Sequence, residues 1–495
     1  MEFLLPIWSF FQNNILTKPQ FFVGFIVFVG YLLLQKPLYE AIAGFIKAVV
    51  GYMILNVASG GLVGNFRPVL AGLKDRFNLT AAVIDPYFGQ AAAQAAIEHV
   101  GRSFSLMMVV LLIAFIINLL LVLFRRITKV RTLFITGHIM VQQSSTALWL
   151  VLFCFPQMQD IKVVGMLGVL LGVYWAVATN LSVEPTQKLT DVGGFAIGHQ
   201  QMFGIWITSK IASKIGDRKK SIENLKLPGF LQIFNENVVA TGILMFFFFG
   251  IIITILGPDL MHKIDKGFGA SQNFVFYILE KSLNFSVYLT ILQLGVRMFV
   301  SELTTSFQGI SNKVLPGSMP AVDCAATYGF GHPNAMTIGF LFGAFGQFLA
   351  IIGLIVFQSP VLIISGFVPL FFDNATFAVF ANRLGGIRAA MIIPFCSGII
   401  QVLGGGFAAW YFGTGNFGGW HGNFDWDTLW PVFGVLMNNL QYVGVAVVVI
   451  FLLAVPQITY FRNKDTYFLI AEDYDAYKEL MAKKQGVSVD DVVID

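Results

Sequence analysis

Charge is scarce in this chain. Only 12% of its 495 residues are Asp, Glu, Lys or Arg, where a soluble protein carries roughly 25%. That leaves too few ionised groups to cover a water-facing surface, so a soluble globular domain is excluded. Cysteine is rare too. Cys154, Cys324 and Cys396 stand far apart in apolar surroundings, with neither disulfide-framework nor zinc-site spacing, and read as small packing residues. No Walker A string, dinucleotide fingerprint, nucleophile elbow or metal-ligand array occurs in a credible context; no catalytic centre, metal or cofactor is expected. The net charge of +4 does not signal nucleic acid, because no soluble domain exists to carry a basic face. The amino-terminal string MEFLLPIWSFFQNN has no basic region of the kind a cleaved signal peptide carries, and is expected to remain as an interfacial segment.

Apolar surface is what the chain has in excess: 56% hydrophobic residues, with 51 Phe. Runs such as 21–34 and 106–124 carry no charge and are long enough to cross about 30 Å of hydrocarbon. Hydropathy windows place crossings near 21–35, 39–57, 103–124, 133–156 and 162–181, then near 237–257, 274–300, 331–356, 360–381, 389–411 and 432–455. The expected fold class is an all-α polytopic membrane protein of about 11 transmembrane helices with re-entrant hairpins and an inverted structural repeat. Three stretches, 58–100, 182–208 and 301–330, are too polar and too rich in Gly and Pro for simple spans. Irregular backbone of that kind survives at membrane depth only when buried in protein or lining a cavity.

Basic residues test the count. They cluster at Arg125–Arg131, at Lys210–Lys226, at Arg383 and Arg388, and from Arg462 onward. Counting crossings puts every cluster on one side, and the loop 421–427 on the other. Positive residues favour the cytoplasmic side, so the N-terminus is expected outside and the C-terminus in the cytoplasm of a bacterial inner membrane.

An internal likeness runs through the chain. TLFITGHIMVQQSST at 132–146 aligns without gaps to VLIISGFVPLFFDNA at 361–375, matching Gly137 to Gly366; AVIDPYFG at 82–89 aligns to AVDCAATYGF at 321–330. The first pair falls in crossings four and nine, an odd number apart, so the copies run in opposite directions, as in transporters whose site lies at the repeat interface. The expected units are a first half, 1–228, a second inverted half, 229–456, and a cytoplasmic tail, 457–495.

A polar side chain inside a bilayer costs free energy, so polar clusters within apolar runs mark the informative positions. His138 and Gln142 in GHIMVQQ lie four apart on one helical face, with Gln143 beside them. Both offer donors and acceptors, which suits a ligand with hydroxyls and a carbonyl. A second segment, DVGGFAIGHQQ, again joins Gly (193, 194, 198) to His199, Gln200 and Gln201. Asp323 with Tyr328, and Asp85 with Tyr87, supply carboxylates and amphipathic walls; either Asp also suits a helix cap, and Pro86 points Asp85 towards opening a turn. Arg297 and Glu302 read as interfacial. His99, His262, His332 and His421 fall in loops or at span ends and read as solvated.

The strings GHIMVQQ, GGFAIGHQQ, GVRMFVSEL (295–303), AVDCAATYGF and NATFAVFANRLGG (374–386), in that order, resemble the ascorbate-specific membrane subunit (enzyme IIC) of the bacterial phosphotransferase system, and the likeness runs from about residue 1 to 455. The resemblance implies an eleven-span inverted-repeat homodimer that takes up L-ascorbate, partnered at the cytoplasmic face by IIB and IIA subunits that carry the phosphoryl group. It implies ligand roles for Ser59, Tyr87, His138, Gln142, His199, Gln200 and Asp323; Asp85, Gln143 and Gln201, from the reading of the residues themselves, are candidate supports. The alternatives are an ion-coupled secondary transporter using Asp85, Asp323 or Asp373, and a non-transporting receptor or scaffold.

Overall fold

The computed structural model describes residues 18–191, 193–225, 236–315 and 318–489, together with Asn14, Pro228 and Ile233. Among them, seven helices are long and apolar enough to cross a membrane: Leu38–Phe77, Leu106–Leu123, Asp160–Thr190, Phe274–Leu292, Pro333–Val356, Val368–Tyr411 and Tyr442–Arg462. An eighth is the pair Thr241–Leu256 and Pro258–Ile264, bent by 96°. This is a multi-pass helical membrane protein. The crossings expected at 360–381 and 389–411 form one helical stretch, bent where Gly386 takes φ 66°. The run expected at 432–455 is cut by Gln441 (φ 53°) into helices Phe424–Leu440 and Tyr442–Arg462. The run near 133–156 becomes a strand and the helix Gly137–Cys154; its polar residues 142–146 keep it out of the purely apolar class.

Each of the three stretches read as unsuited to simple spans contains extended backbone. Among the described residues six strands appear: β1 (Thr80–Ile84), β2 (Thr132–Phe134), β3 (Ala196–Ile197), β4 (Met319–Val322), β5 (Val361–Ser365) and β6 (Gly419–Trp420). Buried N–H and C=O groups must be paired, and here they pair across the chain. One parallel sheet has the order β5-β1-β6, the other β2-β4-β3. The central strand of each comes from one part of the sequence and its two neighbours from the other. Neither part completes a sheet alone.

Side chains finish the edges. Asn118, the lone polar residue of helix Leu106–Leu123, donates to Thr132 O at 3.1 Å and accepts from Phe134 N at 2.9 Å. It thereby acts as a further strand beside β2. Ser182 Oγ does the same for β3, taking Ile197 N at 2.8 Å and donating to Ile197 O at 3.0 Å.

Several basic segments meet partners far away in the chain. Arg125 and Arg126 reach Glu472 at 3.5 and 3.6 Å, Arg383 meets Asp191 at 3.0 Å, and Ile387 N donates to Lys220 O at 2.8 Å. Glu302, read as interfacial, accepts from Tyr31 and Lys47 at 2.5 and 3.2 Å. The Arg297 side chain lies outside the described residues.

Helices Pro333–Val356 and Asn374–Tyr411 approach backbone to backbone through glycines, as small residues allow in membranes. A Cβ on Gly346 would sit 2.1 Å from Phe395 O, and one on Gly398 2.2 Å from Gly343 O. Gly346→Val should therefore separate the pair and destabilise the protein by about 1–3 kcal/mol, the usual cost of overpacking. Unfolding in detergent measures it, and unchanged stability would mean the helices are not in close contact.

Candidate solute-binding site

The sheet β2-β4-β3 aims all three of its strands the same way, and each runs out at one polar residue. His138 follows β2 at the start of helix Gly137–Cys154, Asp323 follows β4, and His199 follows β3. Parallel register (Phe134↔Ala321, Ala196↔Ala321, Ile197↔Val322) brings these ends together. His138 Nε2 lies 3.4 Å from Asp323 Oδ2, the imidazole centroids of His138 and His199 are 6.4 Å apart, and ligand atoms of the three residues all fall within 4.8 Å of one another. Two imidazoles and a carboxylate are also a donor set that suits a divalent transition ion.

The hydrogen bonds fix which way each group faces. Gln201 Oε1 accepts from the Gln200 backbone N–H at 2.9 Å, so the same oxygen must accept from His199 Nδ1 at 2.6 Å. A neutral His199 then presents the Nε2 lone pair. Gln143 is pinned on both sides: its Nε2 donates to His199 O at 3.0 Å and its Oε1 accepts from the indole of Trp175 at 2.6 Å. Asp323 Oδ1 caps the turn Cys324–Phe330 by accepting from Ala325 N at 2.9 Å, leaving Oδ2 to face the histidines. Gln200 Nε2 donates to Gln142 Oε1 at 2.7 Å. His138 Nδ1, Gln142 Nε2 and Gln201 Nε2 are buried with no hydrogen-bond partner among the described residues. Orphaned buried polar atoms cost about 1–3 kcal/mol each, so each of the three is open to a ligand group that would complete its bonding.

The structure thus brings together His138, Gln142, Gln143, His199, Gln200, Gln201 and Asp323. Tyr87 is buried, with its phenol beside Gln142. Asp85 plays another part. It caps helix Pro86–His99 through Tyr87 N at 3.0 Å and reaches Val368 N at 3.2 Å, so it joins β1 to the segment after β5. The Ser59 side chain lies outside the described residues. Tyr328 flanks the site, with its ring 6.3 Å from that of Phe372, which in turn lies 6.4 Å from His199.

His421 requires a correction. Read as a solvated loop histidine, it is fully buried, hydrogen-bonded through Nε2 to Gln200 Oε1 and through Nδ1 to Thr146 Oγ1 at 2.7 Å, and stacked on Trp426. It stands one residue after β6 as His199 stands two after β3; that parallel, and the flanking glycines Gly419 and Gly422, were the available signal. Asp373 is likewise enclosed, accepting from Asn423 Nδ2, Phe424 N and Gln401 Nε2 at 2.6, 2.7 and 2.7 Å. A separate open cleft of about 550 Å³ lies between helices Leu38–Phe77 and Pro86–His99, lined by Tyr52, Asn56, Arg67, Gln90 and Glu98.

Donors and acceptors gathered in the interior of a multi-pass helical protein are the kind of arrangement a membrane permease uses. Residues 14–427 match the family described as "PTS system sugar-specific permease component", and the chain belongs to that family of the phosphotransferase system. It is also similar to the "Ascorbate-specific PTS system EIIC component" of Mycoplasma pneumoniae (strain ATCC 29342 / M129 / Subtype 1), with 34% identity over 444 residues, covering 81% of this chain and 66% of that protein. The chain therefore spans slightly under two thirds of that relative's length.

Gln143→Leu should leave the Trp175 indole and the His199 carbonyl without partners, at a cost of about 1–3 kcal/mol. Trp fluorescence should shift as Trp175 loosens; an unperturbed spectrum and unchanged stability would refute the pinning role.

Proposed function

We propose that this chain is the membrane subunit for uptake of L-ascorbate, coupled to its phosphorylation by a separate IIB subunit that is recharged by IIA. The observation that carries the reading is the split polarity of the site. The His199 Nε2 lone pair and Asp323 Oδ2 face inward as acceptors, while Gln142 Nε2 and Gln201 Nε2 remain free as donors. A ligand bridging them needs hydroxyl protons on one side and carbonyl or enolate oxygens on the other. Ascorbate carries both on one small ring, and the Mycoplasma pneumoniae relative carries ascorbate in its name.

In this reading the solute binds without ion or nucleotide, the chain itself catalyses nothing, and trapping as the phosphate makes accumulation one-way. Movement follows alternating access, the two sheets and their helices carrying the solute past a fixed scaffold within a homodimer. An eleven-span inverted repeat fits the likeness of the sheets. The aligned strings TLFIT and VLIIS form β2 and β5, the aligned AVI and AV lie in β1 and β4, and the strand order β5-β1-β6 corresponds to β2-β4-β3. The positions of the basic clusters along the sequence support an external N-terminus and a cytoplasmic tail in the bacterial inner membrane. Amide donors already on both oxygens of Asp85 and of Asp373 weigh against those two as ion-coupling sites.

His138→Ala and Gln142→Ala should each weaken L-ascorbate binding roughly 5- to 150-fold, the equivalent of about 1–3 kcal/mol, by calorimetry in detergent. Wild-type affinity in both would place the site elsewhere. In vesicles free of phosphotransferase proteins, ascorbate should equilibrate without accumulating; concentration driven by a proton or Na⁺ gradient alone would reject phosphorylation coupling.

A further inference from the structure

The sheet that delivers His138, Asp323 and His199 at one end is held at the other by the C-terminal segment, which lies beyond the family match. After helix Tyr442–Arg462 the chain makes a short turn, Leu469–Glu472, and a last helix, Tyr474–Gln485. Tyr467 is buried and bonded on every side. Its carbonyl accepts from Arg131 Nη1 at 2.5 Å, its ring covers the guanidinium at 3.7 Å, and its hydroxyl takes Asn180 Nδ2 at 2.8 Å and donates to Lys129 O at 2.6 Å. Arg131, itself buried, also pairs with Glu184 at 2.9 Å. Its residue leads directly into β2, and its carbonyl accepts Met319 N at the start of β4 at 3.0 Å.

The approach to β3 is held in the same manner. Tyr474 donates to Gln187 O at 3.2 Å, and the Gln187 side chain grips Phe195 O at 2.7 Å and Gly194 N at 3.3 Å. Burial, then the Asp191 carboxylate, pushes the Tyr474 phenol upward, so it stays a neutral donor. Ile470 and Tyr477 pack with Ala196 of β3 and with Met319 and Ala321 of β4. One short segment therefore touches the entry of all three strands.

We infer that residues 463–485 are a brace that sets the spacing of His138, Asp323 and His199, with Tyr467, Tyr474 and Tyr477 as positioning residues for the solute. Strands this short, tied edge to edge, act as rigid rods, so loosening their starts spreads their ends. The inference deepens the reading of the site as a solute site. Coupling is reciprocal: if the brace tightens the site, an occupied site tightens the brace.

The test is made on the full-length protein. L-ascorbate should slow amide hydrogen exchange across 469–485, and Tyr474→Phe combined with Tyr477→Ala should weaken ascorbate binding roughly 5- to 150-fold with exchange in helix Gly137–Cys154 unchanged. A second pair of chains, carrying His138→Cys and Asp323→Cys with and without those two tyrosine substitutions, reports the spacing with no solute present; disulfide formation should be several-fold slower when the brace is broken. Equal disulfide rates overturn the brace, as do unchanged tail exchange and wild-type affinity together. If the wild-type chain fails to bind ascorbate, the reading of the site fails instead, and the disulfide rates still decide the brace.

Discussion

Everything in this molecule depends on one constraint: backbone that leaves a helix inside an apolar interior must find all of its hydrogen bonds within the protein. Here it finds them by exchange. Strand β1 has no neighbour from its own part of the sequence and takes β5 and β6; β4 takes β2 and β3. Polar side chains serve as substitutes where strands run out, as Asn118 does for β2 and Ser182 for β3. The site follows from this arrangement. Strand ends are where the chain turns, and the residues placed there are the ones able to hold a polar solute.

The same constraint separates groups that build from groups that bind. Asp85 and Asp373 sit at comparable turns, yet their oxygens are taken up by backbone and amide donors. Asp425 is another such carboxylate, accepting from Tyr174 and from the first amides of helix Met202–Ile215. Asp323 differs because one oxygen caps its turn and the other faces two imidazoles. An acidic residue at membrane depth is therefore not a binding residue by type. Its role depends on how many donors its neighbours have already supplied.

Much of this was legible in the sequence. Polar residues inside apolar runs are conspicuous, which is why GHIMVQQ and GGFAIGHQQ stood out as candidate segments, and why 58–100, 182–208 and 301–330 could be marked as irregular backbone. Other features were hidden. His421 lies in a polar loop, and hydropathy alone cannot distinguish a solvated histidine from one enclosed between Thr146, Gln200 and Trp426. Spans blurred for a related reason: Gly386 and Gln441 bend or cut helices through backbone torsion, which changes no hydropathy sum. The C-terminal segment stood in the sequence only as a cytoplasmic tail, because its tyrosines act through partners more than two hundred residues away.

The central claim is that side chains gathered at the ends of β2, β4 and β3 surround a single bound sugar acid. A cryo-electron microscopy map of the full-length protein with L-ascorbate tests it most directly. The account predicts ligand density bounded by His138, Gln142, His199 and Asp323, in contact with the Gln142 and Gln201 amides. Density in the open cleft beside Tyr52 and Gln90, with the histidines still sealed against one another, would contradict it.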